Sequence, residues 1–160
     1  ISFASSINRD DPDTMSDIRL ATAADAAPCA AIARAAYAPY VTLIGREPPP
    51  MQQDFPADIA AGRCWVAGTP PLAYVVAAPR GDTWLLENVA VAPEAQGRGL
   101  GRALIAHVER LARDAGATAV DLYTNVKMSA NRALYPALGY VETEQRTEAG
   151  LDRVFFRKRL

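Results

Sequence analysis

The sequence predicts an α/β fold of the α+β type: a mixed, mostly antiparallel twisted sheet of six to seven strands with helices on both faces. Three observations carry this expectation. Short β-branched and apolar runs alternate along the chain with amphipathic stretches of helical period. Three of the runs, Cys64 to Ala67, Leu72 to Ala78 and Thr83 to Val91, are separated only by Gly68-Thr-Pro-Pro71 and Pro79-Arg-Gly-Asp82, connections short enough for an antiparallel meander. The third run then passes through glycines at 97, 99 and 101 into an amphipathic helix, which gives the layered strand–turn–helix of an α/β domain.

Each element has its own justification. Ile18 to Ala21 reads as a first strand, and Ala23 to Tyr37 as an alanine-rich helix with Thr22 as its N-cap. Tyr40 to Gln53 breaks the pattern, because Gly45 and Pro48-Pro-Pro50 oppose regular structure; an irregular loop of this length is usually functional. A short helix is expected near Phe55 to Ala61, closed by Gly62. The helix after the glycines should run from Gly99 to Ala115. It buries Leu100, Leu104, Val108 and Leu111 and turns Glu109, Arg110 and Arg113 to water. His107, the one histidine, borders that stripe and reads as a packing residue. Thr118 to Thr124 is the next strand. A short helix, Asn131 to Leu138, is capped by Ser129 and ended by Gly139. Val141 to Arg146 and Val154 to Arg159 close the fold as a hairpin around Glu148-Ala-Gly150.

Composition narrows the function. A chain of 160 residues, 50% hydrophobic, can bury about two thirds of its unfolded surface, enough for one good core. That domain is expected over residues 16–160. Residues 1–15 carry Asn8-Arg-Asp-Asp-Pro-Asp13 and no apolar run, so they read as a disordered or tag-like tail, not a signal peptide. A net charge of −1 without a basic run argues against nucleic acid and membrane surfaces as partners. The apolar stretches are strand length, too short to span a bilayer. Cys29 and Cys64 are the only cysteines and read as buried thiols of a reducing cytoplasm. No Cys/His cluster has metal-ligand spacing, so no metal is expected.

The chemistry gathers around Glu87 to Leu104. Glycines two apart let the backbone turn its N–H groups toward one point, and the first helical turn adds unpaired donors and the positive end of the dipole. Together they form an anion cradle flanked by Arg98 and Arg102, suited to a phosphate or pyrophosphate. No Gly-Lys-Ser/Thr follows, which excludes a P-loop. A dinucleotide fingerprint fits poorly, because its third glycine would fall on Arg102 or Leu104 and Ala92 to Gln96 intervene after the strand.

Gln96-Gly97-Arg98-Gly99-Leu100-Gly101 instead resembles the acyl-CoA signature of the GNAT superfamily of N-acetyltransferases, Gln/Arg-x-x-Gly-x-Gly/Ala. Val89-Ala-Val-Ala-Pro precedes it, and Asn131, Tyr135 and Leu138-Gly139-Tyr140 follow at the superfamily's usual distance. Leu122 to Met128 and Arg46-Glu-Pro-Pro-Pro-Met51 resemble one bacterial subgroup, so the likeness covers roughly Ile18 to Leu160. The resemblance implies acetyl-CoA as cosubstrate. Its phosphates would lie on Gln96, Gly97, Arg98, Gly99, Leu100, Gly101 and Arg102, and its pantetheine arm on the backbones of Val89, Ala90 and Val91 and on Asn131. That backbone pairing needs an open sheet edge, which the superfamily creates by splaying this strand from the next. The resemblance further implies that Tyr135 reaches the CoA sulfur, and it allows for a homodimer.

Moving an acetyl group from a thioester to an amine requires an unprotonated amine and a stabilised leaving thiolate. Deprotonating an amine of pKa about 10.4 at pH 7 costs roughly 4–5 kcal/mol. A carboxylate at the nucleophile accepts that proton, and Glu87 on the central strand is the candidate base; the competing reading is a structural ion pair. For Tyr135 the competing reading is a core aromatic beside Leu134 and Leu138. Since a phenol near pKa 10 faces a thiol near 8.5, hydrogen bonding to the thiolate is the expected role. Tyr37, Tyr40, Arg46, Glu47, Asn125 and Met128 are expected on the acceptor side, around a small-molecule or amino-acid-like primary amine. Arg46 and Glu47 could instead pair with each other. Two rival functions remain at this stage: a CoA-binding regulatory module without turnover, and a nucleotide-binding module.

Overall fold

The computed structural model describes residues 17–160, so the tail expected over residues 1–15 lies outside them. The strands are β1 (Ile18–Leu20), β2 (Cys64–Ala67), β3 (Ala73–Arg80), β4 (Thr83–Val91), β5 (Ala119–Asn125), β6 (Val141–Glu148) and β7 (Leu151–Arg159). They form one seven-stranded sheet in the order β1-β2-β3-β4-β5-β7-β6. Every neighbouring pair is antiparallel except β4 and β5, which are parallel and joined through the helix between them. This is the mixed, mostly antiparallel sheet that the pattern predicts. The helices are α1 (Ala26–Ile44), α2 (Phe55–Ala60), α3 (Leu100–Asp114) and α4 (Ser129–Ala137).

Four local expectations need correction. A single 3₁₀ turn, Ala23–Asp25, precedes α1, and α1 continues past Tyr37 to Ile44. The first part of the expected loop is therefore helical. Pro39 sits inside the helix, and the chain leaves it only at Gly45, whose φ of 85° lets its N–H bond the Val41 carbonyl at 2.8 Å. Glu109 does not face water: its carboxylate accepts two hydrogen bonds from Lys158 Nζ, at 2.7 and 3.0 Å, and lies buried between α3 and β7. Ser129 is the first helical residue of α4, and Met128 holds the cap position. Asn125 causes the shift, because its Oδ1 accepts the Lys127 N–H at 2.9 Å and turns the chain as β5 ends. The closing hairpin is longer than expected. Ala149 and Gly150, both at positive φ (50° and 76°), make a two-residue turn that lets pairing run from Glu148↔Leu151 to Val141↔Arg157.

The core lies on the central strands. Tyr74, Val75 and Val76 of β3, Val89 and Ala90 of β4, and Leu122 of β5 are fully or almost fully buried, as are Leu104, Ile105 and Val108 of α3. Phe55 of α2 packs edge-on against Tyr74 with ring centroids 4.8 Å apart. Cys29 and Cys64 are both buried free thiols, and the contact with Cys29 together with burial pushes the Cys64 thiol up.

Two breaks in the sheet position the site. Pairing between β4 and β5 covers only Thr83–Leu86 against Ala119–Leu122, then stops. Beyond that point β4 stays with β3 as far as Val91↔Ala73, and β5 stays with β7 as far as Asn125↔Arg153, so the sheet opens into a wedge. The second break is a β-bulge. Val76 pairs with Asn88 and Ala77 with Leu86, which leaves Glu87 as the extra residue.

Candidate active site

A cavity of about 90 Å³ occupies the mouth of the wedge. Leu86, Glu87, Asn88 and Val89 line it from β4, and Leu122 to Asn125 from β5. Tyr37 and Ile44 close it from α1, Pro48, Pro49, Pro50 and Gln53 from the segment that follows, Met128 and Tyr135 from the α4 side, and Leu151 and Arg153 from β7.

Glu87 is exposed at this cavity and makes no ion pair or side-chain hydrogen bond among the described residues. Strict alternation would place it on one face with Leu85, Val89 and Val91, but the bulge breaks that parity and re-aims the side chain. Asn88, beside it, is buried and accepts a 3.0 Å hydrogen bond from the Tyr37 hydroxyl, which also lies 3.2 Å from the Val89 carbonyl. The register of the open strand is thus tied to α1.

Tyr135 is fully buried, with its ring against Tyr140 and Phe156 at centroid distances of 5.8 and 5.5 Å. Its hydroxyl has no hydrogen-bond partner among the described residues. Burial pushes its pKa well above the ordinary phenol value, so the group stays protonated and is a donor only in waiting. An unpaired buried donor costs about 1–3 kcal/mol, a cost that a ligand atom would offset. Asn131 is similar. It is buried, its Nδ2 donates to Thr124 Oγ1 at 3.2 Å, and its Oδ1 lacks a partner among the described residues.

The glycine turn lies at the end of the open strand. Gln96 Nε2 donates to the Val91 carbonyl at 3.3 Å. Gly97 and Gly99 have φ of 84° and 80°, which an L side chain rarely adopts. The first helical bond of α3 runs from Ala103 N–H to the Gly99 carbonyl, so the N–H groups of Leu100, Gly101 and Arg102 have no acceptor within the helix. Arg98 and Arg102 are exposed beside them. Val89, Ala90 and Val91 are buried on β4, with no strand along their β5-side edge.

A model of the acetyltransferase (GNAT) family matches residues 30–140. The chain belongs to that family. It is an acyltransferase by that membership, and no curated protein matches it. Among solved structures, the PaiA N-acetyltransferase of Thermoplasma acidophilum, in complex with coenzyme A, superposes with a TM-score of 0.77 at 14% identity, over 90% of this chain and 98% of that one. The ribosomal-protein-S18-alanine N-acetyltransferase of Escherichia coli gives 0.69 at 22%, over 89% and 92%. The protein yncA of Salmonella typhimurium, with its cofactor acetyl-CoA, gives 0.65 at 23%, over 89% and 92%. At these identities the likeness is one of fold.

Of the acceptor-side residues expected from sequence, Tyr37, Asn125 and Met128 line the cavity together with Glu87 and Tyr135. Tyr40, Arg46 and Glu47 do not. Arg46 and Glu47 are not paired with each other either: Arg46 Nη1 bonds the Ala149 carbonyl at 3.0 Å, and Glu47 accepts from Gln52 at 3.2 Å. Sequence reasoning missed Asn88, Tyr123 and Arg153. Asn88 was legible in principle, as a polar residue inside an otherwise apolar strand. Tyr123 reaches the cavity because β4 parts from β5 just before it, and Arg153 because β7 pairs with β5; neither leaves a local signature. Among the described residues no helix is long and apolar enough to cross a membrane.

Proposed function

We propose that this protein binds acetyl-CoA and transfers its acetyl group directly to the primary amine of a small-molecule or amino-acid-like acceptor held in the cavity, in the cytoplasm. One observation carries the reading: a buried tyrosine hydroxyl and a carboxylate, both without a partner among the described residues, line the same cavity at the point where β4 parts from β5. The residues fit the cosubstrate. The β5-side edge of Val89, Ala90 and Val91 and the Asn131 Oδ1 suit the amides of a pantetheine arm, and the turn from Gln96 to Arg102 suits its phosphates. Acetyl-CoA supplies the activated thioester. Glu87 takes the proton of the incoming ammonium, directly or through water, and Tyr135 donates a hydrogen bond to the departing thiolate.

Release of free thiol from acetyl-CoA across a library of amines tests the reading, together with ligand-induced shifts in melting temperature. Acetyl-CoA should raise the Tm well above any shift given by NAD or ATP at equal concentration, because only it binds the folded state tightly. Equal shifts, or a preference for NAD, overturn the assignment.

A further inference from the structure

The cavity lining contains two charged side chains, Glu87 and Arg153, of opposite sign. Arg153 sits on β7 opposite Asn125, two strands away from Glu87 across β5. Two strand spacings of about 4.8 Å, widened by the wedge between β4 and β5, keep the two backbones more than about 10 Å apart. The guanidinium is held from two sides. Its carbon lies 4.6 Å above the centre of the Tyr123 ring, and Nη1 donates to Glu148 Oε2 at 2.9 Å. Only 15% of the side chain is exposed. Its remaining N–H groups have no side-chain partner among the described residues. Glu148 does not fully neutralise it, because Arg146 Nε shares that carboxylate at 2.7 Å.

A cation fixed in this way matters for an amine acceptor. Glu87 favours an ammonium group, but Arg153 in the same cavity repels a molecule whose only charge is positive. Both charges are satisfied when the acceptor itself carries an amine and an anion a few bonds apart. A planar fork with unused donors matches a carboxylate in particular. Pro49, Met128 and Leu151 add apolar surface to the same lining. Because Tyr123 and Glu148 already order the arginine, little side-chain entropy is lost when it binds.

We infer that the acceptor is a small amphoteric molecule, an amine bearing a carboxylate and an apolar body, and that Arg153 is the residue that binds the carboxylate. This rests on the acetyl-transfer reading above. Arg46, expected on the acceptor side, is bound to the Ala149 carbonyl and does not line the cavity, so it does not compete for this role.

The test uses matched acceptors: apolar amino acids, their carboxamides and their decarboxylated amines, assayed by thiol release from acetyl-CoA. With the wild-type protein the free acids should be used with a kcat/KM roughly 10- to 1,000-fold above their partners. In Arg153→Ala the ratio of acid to carboxamide should fall toward one, and Arg153→Lys should retain an intermediate ratio. Equal use of acids and carboxamides by the wild type overturns the inference even if the alanine variant fails to fold, as does a ratio that survives in Arg153→Ala. Efficient use of peptide N-termini in place of free acids overturns it in favour of a protein acceptor. Thiol release with no member of the panel counts against it as well. If acetyl-CoA then also fails to raise the Tm, the acetyl-transfer reading itself falls.

Discussion

Removing one oxygen from Tyr135 should make the free protein more stable and the enzyme slower. The ring is fully buried and packs on Tyr140 and Phe156, and phenylalanine keeps those contacts. What leaves is a hydroxyl with no partner among the described residues. A buried polar group without a hydrogen bond costs about 1–3 kcal/mol, so deleting it returns up to that amount. In a chain of 160 residues each kcal/mol shifts the melting temperature by about 2–4 °C. Tyr135→Phe without ligand should therefore melt a few degrees above the wild type. With acetyl-CoA and a good acceptor its kcat should fall roughly 10- to 1,000-fold, because the lost hydrogen bond forms mainly in the transition state. Differential scanning calorimetry of the free protein and thiol release give the two readouts. A variant several degrees less stable, with kcat unchanged, would refute the reasoning on both counts and leave Tyr135 as a core aromatic.

Three other substitutions address separate parts of the structure. Glu87→Gln keeps shape and removes the proton acceptor: the acidic limb of the pH–rate profile should disappear, and activity should recover at high pH, where the amine is already neutral. Wild-type kcat with an unaltered profile would take Glu87 out of the base role. Gly99→Asp meets no atom within 4 Å of its added Cβ, though its φ of 80° strains an L residue by about 1 kcal/mol; the fold should survive while the acetyl-CoA shift in Tm is lost to the new negative charge. A retained shift would mean that phosphate does not sit at this turn. Asp25 is held from 3.8 down to about 2, chiefly by its hydrogen bond from Arg19 at 2.7 Å, so its contribution is present above pH 4 and lost as pH falls through 2. Asp25→Asn should accordingly cost about 1–2 kcal/mol at pH 7, and its Tm should converge on the wild type on acidification over that window; a constant difference would refute the linkage.

Elements governed by local rules were legible in the sequence. Cys64–Ala67 and Thr83–Val91 occupy the expected spans because alternation and flanking Gly/Pro residues define a strand from within. Expectation failed where a partner far along the chain decides. Nothing near Glu109 announces that Lys158, forty-nine residues away, crosses to meet it, so a charged helical residue reads as solvated until β7 is placed. The same holds for Arg153, which enters the cavity only after β7 inserts between β5 and β6. Arg46 errs in the other direction: the three prolines after it suggest an acceptor loop, but α1 carries the chain to Ile44 and leaves Arg46 facing the hairpin turn. Pro39 does not end that helix, which continues through Tyr40 to Ile44 with one N–H missing.

The site sits where the sheet departs from its own regularity. A strand paired on both edges would spend its amides on neighbours; β4 keeps one edge on β3 and loses the other beyond Leu86, which leaves backbone donors and acceptors for a ligand. The bulge falls at the next residue and frees Glu87 from both the ladder and the strict alternation, so a carboxylate can stand unpaired beside an apolar core. Tyr135 and Asn131 then leave buried polar atoms unsatisfied on the opposite side of the same opening. Each departure costs stability; the Tyr74 and Tyr140 hydroxyls are also buried without a partner among the described residues but do not line this cavity, whereas the open edge, the bulge and Tyr135 meet at one wedge. The bulge between β6 and β7 is satisfied internally: Thr143, the extra residue there, uses its hydroxyl on the Phe155 carbonyl at 3.2 Å. The break between β4 and β5 instead opens onto a cavity whose lining carries both an exposed carboxylate, Glu87, and a guanidinium, Arg153.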